Sequence, residues 1–552
     1  MTLYGKSSLK VMLKTVFLTS LIFTVPIVGA RWFGWFEASE LSAYDDFIRR
    51  RPEEKPDDRI VIVTVGDEDL ESLQQYPLHD DTFAKALEKL EDYKPRAIGL
   101  DIARDIPHGA IAGRKQLTQL IAKNKTIVSG CLLSTQNHPG SPPAPGTPEG
   151  GAAFTDVPPD SDQVVRRVRL ISTPEKTEKP IRTKHVCNES NGAEIPSLSF
   201  LLAQLYLAES GINPEPNVKG DIQFGKRFLN RIDANFGSYA HADVNDYQMI
   251  LNYRGAKNSF QEIPISHILQ NKVDAQVIRD RVVLIGSSSE VSKDFLATPY
   301  IQTQLGARNM NGVVIHAHAV SQILSAVLDQ RPLIQSWSEP GEVLWIWVWS
   351  LGSGLMAFYN RRLGLFLIGV MITGVALWGI CYGLFIIQGL WIPLVPTLMT
   401  AMLTALSVRV VDLAARSGYA QAFYEQLQEQ IRGGAVGRDR RGDYLESLVQ
   451  RARVARQGQD AAALLTLDPT PDDDLATETS PTMKALYEKV SQQVRQEMEA
   501  ERLAQQTVIR QSASTAKQGT RLKTLLTRSQ QSRTHLLGKP EVPPTDQNSP
   551  FN

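Results

Sequence analysis

Four long apolar runs constrain the fold of this chain more than any other feature. They cover residues 16–30, 344–359, 363–382 and 390–410, and the last three are almost free of charge. A bilayer core about 30 Å thick requires roughly 20 apolar helical residues to cross it. The 42% hydrophobic content of the whole chain conceals these runs, because polar segments separate them. We therefore predict four transmembrane helices, with membrane lipid as a partner, rather than a wholly soluble protein.

Basic residues beside the runs predict the orientation of the helices. They are Lys6, Lys10 and Lys14 before the first run, Arg361 and Arg362 between the second and third, and Arg409 and Arg416 at the exit from the fourth. Positive charge collects on the cytoplasmic side of a membrane, whereas the uncharged turn at residues 388–389 suits the outer side. We expect a multi-pass plasma-membrane protein whose large domain is extracytoplasmic and whose C-terminal tail is cytoplasmic.

The first run has two interpretations. Residues 28–30 (VGA) resemble a small-residue cleavage site, which is typical of a signal peptide. The aromatic residues of segment 32–36 (WFGWF) extend the run as an interfacial belt, which favours an uncleaved anchor. Both interpretations place the following residues outside. Trp337, Trp345 and Trp391 are also interpreted as belt residues at the outer interface.

The runs divide the chain into four parts. Residues 1–36 form a cytoplasmic stub and an anchor, 37–340 an outer domain, 341–411 three transmembrane helices, and 412–552 the tail. Basic and acidic residues balance at 59 each, which argues against nucleic acid as a partner, since nucleic-acid binders need a net basic face. Three cysteines exclude a disulfide-rich small domain and a four-cysteine zinc site, and we expect no cofactor and no bound metal.

Strand and helix patterns alternate through the first half of the outer domain. Residues 59–65, 96–102 and 125–133 are short apolar segments typical of buried strands. Residues 81–93 and 116–122, which lie between them, have apolar side chains at helical spacing. Strand, helix, strand, helix, strand predicts an α/β domain with a mostly parallel sheet.

The second half repeats this theme and contains two loops. Helices are predicted at 195–207 and 313–328, the second of them amphipathic; strands are predicted at 249–253 and 281–286; and loops are predicted at 137–151 and 173–193. Cys131 ends a predicted strand and Cys187 lies in the second loop. Both would face an oxidising compartment, which permits a disulfide between them. The sequence leaves two alternatives, this disulfide or two free thiols.

Several segments of the outer domain match one family pattern in order. They are YD at 44–45, RRRP at 49–52, DRIVIV at 58–63, AIGLD at 97–101, DQVVRR at 162–167, LNYRG at 251–255, VLIGS at 283–287, DFLATP at 294–299 and GVVIHA at 312–317. The chain resembles the second type of the CHASE sensory family, the extracytoplasmic domains attached to cyclases and histidine kinases. This resemblance implies a receptor for a small-molecule or protein stimulus, with one anchor helix before the domain and three membrane helices after it.

Three parts of the chain depart from that pattern. QYPLHD at residues 75–80 stands where members often carry a tryptophan-rich segment, and Leu100 and Ala103 replace aromatic residues around Asp101. His318 stands where asparagine is common. A ligand bound through those residues in relatives is therefore not expected to transfer.

Polar residues at predicted strand ends are the first candidates for a ligand site. Asp67 and Asp101 each follow a buried strand, and Asp294 and Thr298 follow the serine turn at 287–289. Ligands of open α/β sheets gather outside the carboxyl ends of the strands, so these side chains could bind a cation or a polar ligand. The alternative is that they cap helices and close turns.

Three further residues are weaker candidates. His316 and His318 lie two apart on a predicted helix and point about 200° apart, so they do not form a natural metal pair, and a structural role is the alternative for each. Arg166 could hold an anionic ligand; the alternative without a function is that Arg166 and Arg167 form a solvated arginine pair on a strand edge.

The tail contains no recognisable output enzyme. It has one histidine, His535, and no glycine-rich nucleotide lobe, and the whole chain contains no hydrolase elbow, zinc motif or P-loop. An apolar stripe at residues 417–431, with Phe423 and Leu427, suggests a homodimer or a docked cytoplasmic signalling partner. We therefore expect a membrane sensor that is not itself an enzyme; a tethered extracytoplasmic enzyme using Asp67 and Asp101, and an envelope assembly protein, are the alternatives.

Overall fold

The structure, a computed structural model, describes residues 6–217, 220–300, 310–360 and 362–416. Most of the predicted tail, including the apolar stripe at 417–431, lies outside these residues, so the expectations about the tail stay predictions. The described residues form a mixed α/β domain together with four long apolar helices.

Those four helices are long and apolar enough to cross a membrane, as the sequence predicted. They are α1 (Lys6–Trp32), α9 (Glu339–Tyr359), α10 (Leu363–Gln388) and α11 (Val395–Arg416). Helices α1, α9 and α11 pack against one another, while α10 has fewer contacts with its neighbours. Met371 and Val375 of α10 are 65% and 66% exposed, which is what a lipid-facing helix requires.

Hydrogen bonds of serine and threonine hydroxyls join α9 to α11, and a small residue lets α1 pack closely against α9. Ser350 and Thr404 share a hydrogen bond of 2.7 Å between α9 and α11, and Ser353 donates to the carbonyl of Ala401 at 2.8 Å. A Cβ at Gly354 would come 2.8 Å from Val16 on α1, so glycine is what allows this close approach. Small residues and buried hydroxyl bonds are how helices associate where water supplies no driving force.

The α/β domain is built from short helices and strands. The helices are α2 (Glu37–Arg50), α3 (Asp67–Leu73), α4 (Asp80–Asp92), α5 (Ile111–Lys123), α6 (Leu198–Ala208), α7 (Ile265–Leu269) and α8 (Gly312–Leu328). The strands are β1 (Ile60–Val65), β2 (Ala97–Asp101), β3 (Ile127–Cys131), β4 (Ala152–Phe154), β5 (Arg167–Ser172), β6 (Ile195–Pro196), β7 (Pro214–Pro216), β8 (Ile222–Phe224), β9 (Arg227–Leu229), β10 (Tyr247–Ile250), β11 (Gln261–Pro264), β12 (Val282–Ser287), β13 (Phe295–Leu296) and β14 (Met310–Asn311).

Six strands form one sheet in the order β11-β1-β12-β2-β3-β4, and every neighbouring pair is parallel. The mostly parallel sheet expected from the sequence is confirmed. All six residues of β1 are buried, because a parallel sheet is covered on both faces. Three small antiparallel sheets, β10-β5-β6, β7-β8-β9 and β13-β14, complete the described strands.

Alternate residues of the parallel sheet enter two separate cores. Ile60 and Leu284 pack with α6 and α8 on one face, whereas Val61 and Ile285 pack with α4, α5 and α7 on the other. A Cβ at Gly286 would lie 2.3 Å from the Cβ of Val313, so glycine lets α8 lie directly on β12. This close packing brings the start of α8 to the carboxyl ends of the strands.

Three local predictions need correction. The helix expected at 195–207 is strand β6 followed by α6, and Ser197 caps that helix by accepting the amide of Phe200 at 3.2 Å. The strand expected at 249–253 is β10, which begins two residues earlier and ends at Ile250. Helix α8 is buried on nearly every side rather than amphipathic, because both the sheet and the β5–β10 layer cover it.

Candidate functional site

The carboxyl ends of β1, β12 and β2 meet at one edge of the sheet, as parallel strands require. Asp67 stands at the end of β1, where it begins α3. Its carboxylate accepts a hydrogen bond from the Ser289 hydroxyl and another, at 3.1 Å, from the amide of Glu290. Asp67 therefore closes the turn after β12, which is the alternative role weighed from the sequence.

Asp101, the last residue of β2, faces His316 of α8. The distance between Asp101 Oδ1 and His316 Nε2 is 3.9 Å, and His316 Nδ1 lies 3.2 Å from the hydroxyl of Ser199 on α6. The side chains of Asp101 and His316 are 11% and 4% exposed, and Ser199 is fully buried. No sequence pattern pointed to Ser199, because its place beside His316 depends on how α6 and α8 pack.

Asp294 completes this group at the beginning of α8. A Cβ at Gly312 would come 2.8 Å from both carboxylate oxygens of Asp294, so only glycine fits there. Burial raises the pKa of Asp294, while a hydrogen bond from the amide of Gly312 opposes the rise. We call Asp101, Asp294, His316 and Ser199 the carboxyl-end cluster.

Burial controls the protonation of the cluster. It lowers the pKa of His316 to about 4, against the opposing effect of a hydrogen bond to the backbone of Thr155. Burial also raises the pKa of Asp101 well above its usual value, and the nearby charge of Asp294 raises it further. Asp101 Oδ2 is buried and has no hydrogen-bond partner among the described residues. The cluster is thus a buried site with an unused carboxyl oxygen rather than an ion pair.

The remaining sequence candidates lie in other surroundings. Thr298 is buried beside the β-bridge between Val164 and Ala297. His318 accepts the amide of Arg254 at 3.3 Å through Nδ1, in line with the structural role weighed for it.

Arg166 is neither solvated nor open to an anion, contrary to both interpretations of it. Its side chain is 2% exposed and bonds to Asp45 on α2 at 2.7 Å, to Asp160 at 2.9 Å and to Asp162 at 2.7 Å. Burial acts to lower the pKa of Arg166, but hydrogen bonds to Asp45 and Asp162 raise it overall, so the guanidinium stays charged. The three acids come from two separate segments, which sequence alone does not bring together.

Cys131, at the end of β3, forms a disulfide with Cys187 in the loop before β6. The two Cα atoms are 6.5 Å apart, and the two cysteines are separated by 56 positions in the sequence. Both cysteines are buried against Leu133, Phe154 and Ile195. The bond fastens the second predicted loop to the end of the sheet.

Helix α2 connects the α/β domain to the candidate membrane helices. Glu40 is 1% exposed and accepts the amides of Leu394, at 2.9 Å, and Val395, where α11 begins. The hydroxyl of Ser238 donates to the second oxygen of Glu40 at 2.9 Å. Arg31 at the end of α1 forms an ion pair with Glu342 of α9. The sequence did not single out either acid.

Trp391 is a second link, and its predicted role as a belt residue is wrong. It is 2% exposed and packs on Tyr44 of α2 and on Tyr239, with ring centroids 4.9 and 5.8 Å away. The Tyr239 hydroxyl donates to Asp160 at 2.8 Å, and Asp160 binds Arg166. We call the contacts of Glu40, Trp391 and Arg166 with their neighbours the junction, because they join the domain to α2 and α11.

Replacing Asp101 by asparagine should raise the free energy of unfolding at pH 7 by about 1–2 kcal/mol. The raised pKa keeps a proton on Asp101 in the folded state, while the unfolded chain releases it above its ordinary pKa. Wild-type stability should therefore fall as the pH rises from about 4, and the variant should lack that loss. Urea unfolding of the full chain in micelles at several pH values measures this. Asp92→Asn, at an exposed site, is the control, and equal stability of wild type and Asp101→Asn at pH 7 would contradict the expectation.

Fold and site together define a class: an α/β domain with one candidate membrane helix before it and three after it, and a buried polar cluster at the carboxyl ends of its strands. The family model of the CHASE2 domain matches residues 21–355, more than half of the chain, and the protein belongs to this family of sensory domains. The resemblance found in the sequence is thus confirmed. Comparisons with curated proteins and with solved structures gave no match.

Proposed function

We propose that this protein is a plasma-membrane sensor whose α/β domain detects a stimulus outside the cytoplasm and transmits it through the membrane helices. Membership of a sensory family supports the general role. Basic residues at the membrane ends far from the domain, such as Lys14 in the first half of α1 and Arg362 directly before α10, support the orientation.

The carboxyl-end cluster is the proposed stimulus site. The observation that carries this proposal is the buried Asp101 Oδ2 without a hydrogen-bond partner among the described residues, because such an atom costs free energy until a partner reaches it. No group of three or more metal-ligating side chains is found in the described part of the chain. We therefore propose a small organic ligand that forms a hydrogen bond with Asp101 Oδ2.

The junction is the proposed path of transmission. Helix α2 carries both Asp45, which binds Arg166, and Glu40, which binds the first amides of α11. Buried charge-assisted hydrogen bonds of this kind break only at high cost, so a shift of the domain would move α2 and α11 with it. The output would then pass to a partner or to a second copy through the tail.

An enzyme is the rival proposal, and one arrangement bears on it. Ser199, His316 and Asp101 lie in the order of a nucleophile, a base and an orienting acid. However, Ser199 is fully buried, and 3.9 Å between His316 and Asp101 exceeds a hydrogen bond. These two facts favour a sensor, and we propose that the purified protein turns over no nucleotide. The assembly-protein alternative predicts envelope proteins that co-purify with the chain.

A thermal-unfolding screen of the full chain in micelles against small metabolites and ions tests the sensory role. A ligand at 100 times its Kd should stabilise the wild-type protein by about 2.7 kcal/mol. The same ligand should stabilise Asp92→Leu equally and Asp101→Leu, which has no hydrogen-bonding atom in its side chain, much less. Equal stabilisation of Asp101→Leu would remove the ligand from the cluster, and turnover of a nucleotide would favour the enzyme.

A further inference from the structure

A cleft of about 340 Å³ lies where α10 meets the α/β domain. Arg51, Asn252 and Arg331 form its polar wall, and Phe385 and Ile386 from the end of α10 form its apolar wall. Since α10 is long and apolar enough to span a membrane, this wall lies at the end of a candidate membrane helix. The neighbouring Ile387 is 74% exposed.

Arg51 is the cation of the cleft that lacks an acidic partner among the described residues. Its Nη1 donates to the side-chain oxygen of Asn252, and its guanidinium acts to lower the pKa of Tyr300. Its Nη2 is buried and has no hydrogen-bond partner among the described residues. A guanidinium with a free N–H matches the oxygens of a phosphate group.

The acids of the cleft do not cancel this charge. Glu54 is already held by Arg331 at 2.5 Å and lies 3.4 Å from Arg254. Glu53 also lines the cleft and is exposed, so water screens it. The polar wall therefore keeps a net attraction for an anion at Arg51.

Aromatic residues independently place this level of α10 at the membrane–water interface. Trp378 and Tyr382 stack with centroids 5.0 Å apart, and the Tyr382 hydroxyl donates to the carbonyl of Arg50 at 2.7 Å. The guanidinium of Arg50, which is itself mostly exposed, lies 5.9 Å from the Trp378 ring. Tryptophan, tyrosine and arginine together are typical of the headgroup region.

We propose that this cleft binds the headgroup phosphate of an anionic phospholipid, with Arg51 as its ligand and the acyl chains along exposed apolar residues of α10 on the membrane side of Trp378, such as Val375 and Met371. A bound lipid would bridge the end of α2 to α10. This inference uses the membrane-spanning role of α10 and does not depend on the sensory function.

Native mass spectrometry of the full chain in micelles, titrated with phosphatidylglycerol or phosphatidylcholine of equal chain length, tests the proposal. Wild type should retain phosphatidylglycerol preferentially, and Arg51→Gln should weaken its binding about 10-fold. Arg51→Lys, which keeps the charge but loses the fork of N–H donors, should fall between them. Arg279→Gln, at an exposed arginine outside the cleft lining, should match wild type.

The wild-type comparison does not depend on whether a variant folds. Equal retention of the two lipids by wild type would overturn the proposal, as would an equal loss in Arg279→Gln. Glycerol phosphate at millimolar concentration should not displace the lipid. If glycerol phosphate displaced the lipid with a Kd similar to that of the lipid, the site would be one for a soluble phosphate. That result would also overturn the lipid proposal.

Discussion

Replacing Arg166 by methionine should lower the free energy of unfolding by about 3–5 kcal/mol, because it leaves buried carboxylates without their cation. Asp160 and Asp45 keep only 2% and 12% of their side chains exposed, whereas Asp162 is 47% exposed and remains hydrated. Urea unfolding of the full chain in micelles, followed by circular dichroism, measures the loss. Arg279→Met removes an exposed arginine and should change stability by less than about 0.5 kcal/mol.

The pH dependence and a compensating variant separate lost charge pairing from lost packing. Burial already raises the pKa of Asp45 in the wild type, and removing Arg166 removes the interactions that oppose this rise. The deficit of Arg166→Met should thus shrink as the pH falls and the carboxylates take up protons. Adding Asp45→Asn and Asp160→Asn should recover part of the loss at pH 7. A loss below about 1 kcal/mol for Arg166→Met, or no recovery, would contradict this account.

Replacing both Cys131 and Cys187 by serine should cost about 4 kcal/mol, the chain-entropy value for a bridge that closes a loop of this length. The bridge restricts the unfolded chain, so its removal should destabilise the domain even though the folded contacts change little. Unfolding in the presence of a reductant should lower wild-type stability to that of the double variant and leave the variant unchanged. Cys381→Ala, at the buried free cysteine, is the control and should keep its sensitivity to reductant.

The same bridge tests the side of the membrane on which the domain lies. Disulfides persist in oxidising compartments outside the cytoplasm. Alkylation of whole cells before lysis, followed by mass spectrometry, should find Cys131 and Cys187 bonded. Free thiols at both positions in otherwise folded protein would contradict the extracytoplasmic placement.

The sequence by itself determined the layers of the protein. Long uncharged runs predicted the four candidate membrane helices, since no short core element needs so many successive apolar residues. Alternating strand and helix patterns predicted the parallel sheet, since strand β1 is a short continuous apolar segment and helix α4 carries apolar residues at helical spacing. These features are local, and burial of a face is encoded within the segment that carries it.

Only the tertiary structure decided which distant residues meet. Asp101 reaches His316, and Asp45 reaches Arg166 across 121 residues, through the strand order and the packing of α2 and α8. Trp391 shows the same limit, because a tryptophan after a membrane run can face lipid headgroups or be buried by a partner such as Tyr44. Side-chain periodicity indicates which face of a helix or strand is buried, but it does not indicate which other element packs on that face. The cluster and the junction therefore form only in the folded chain.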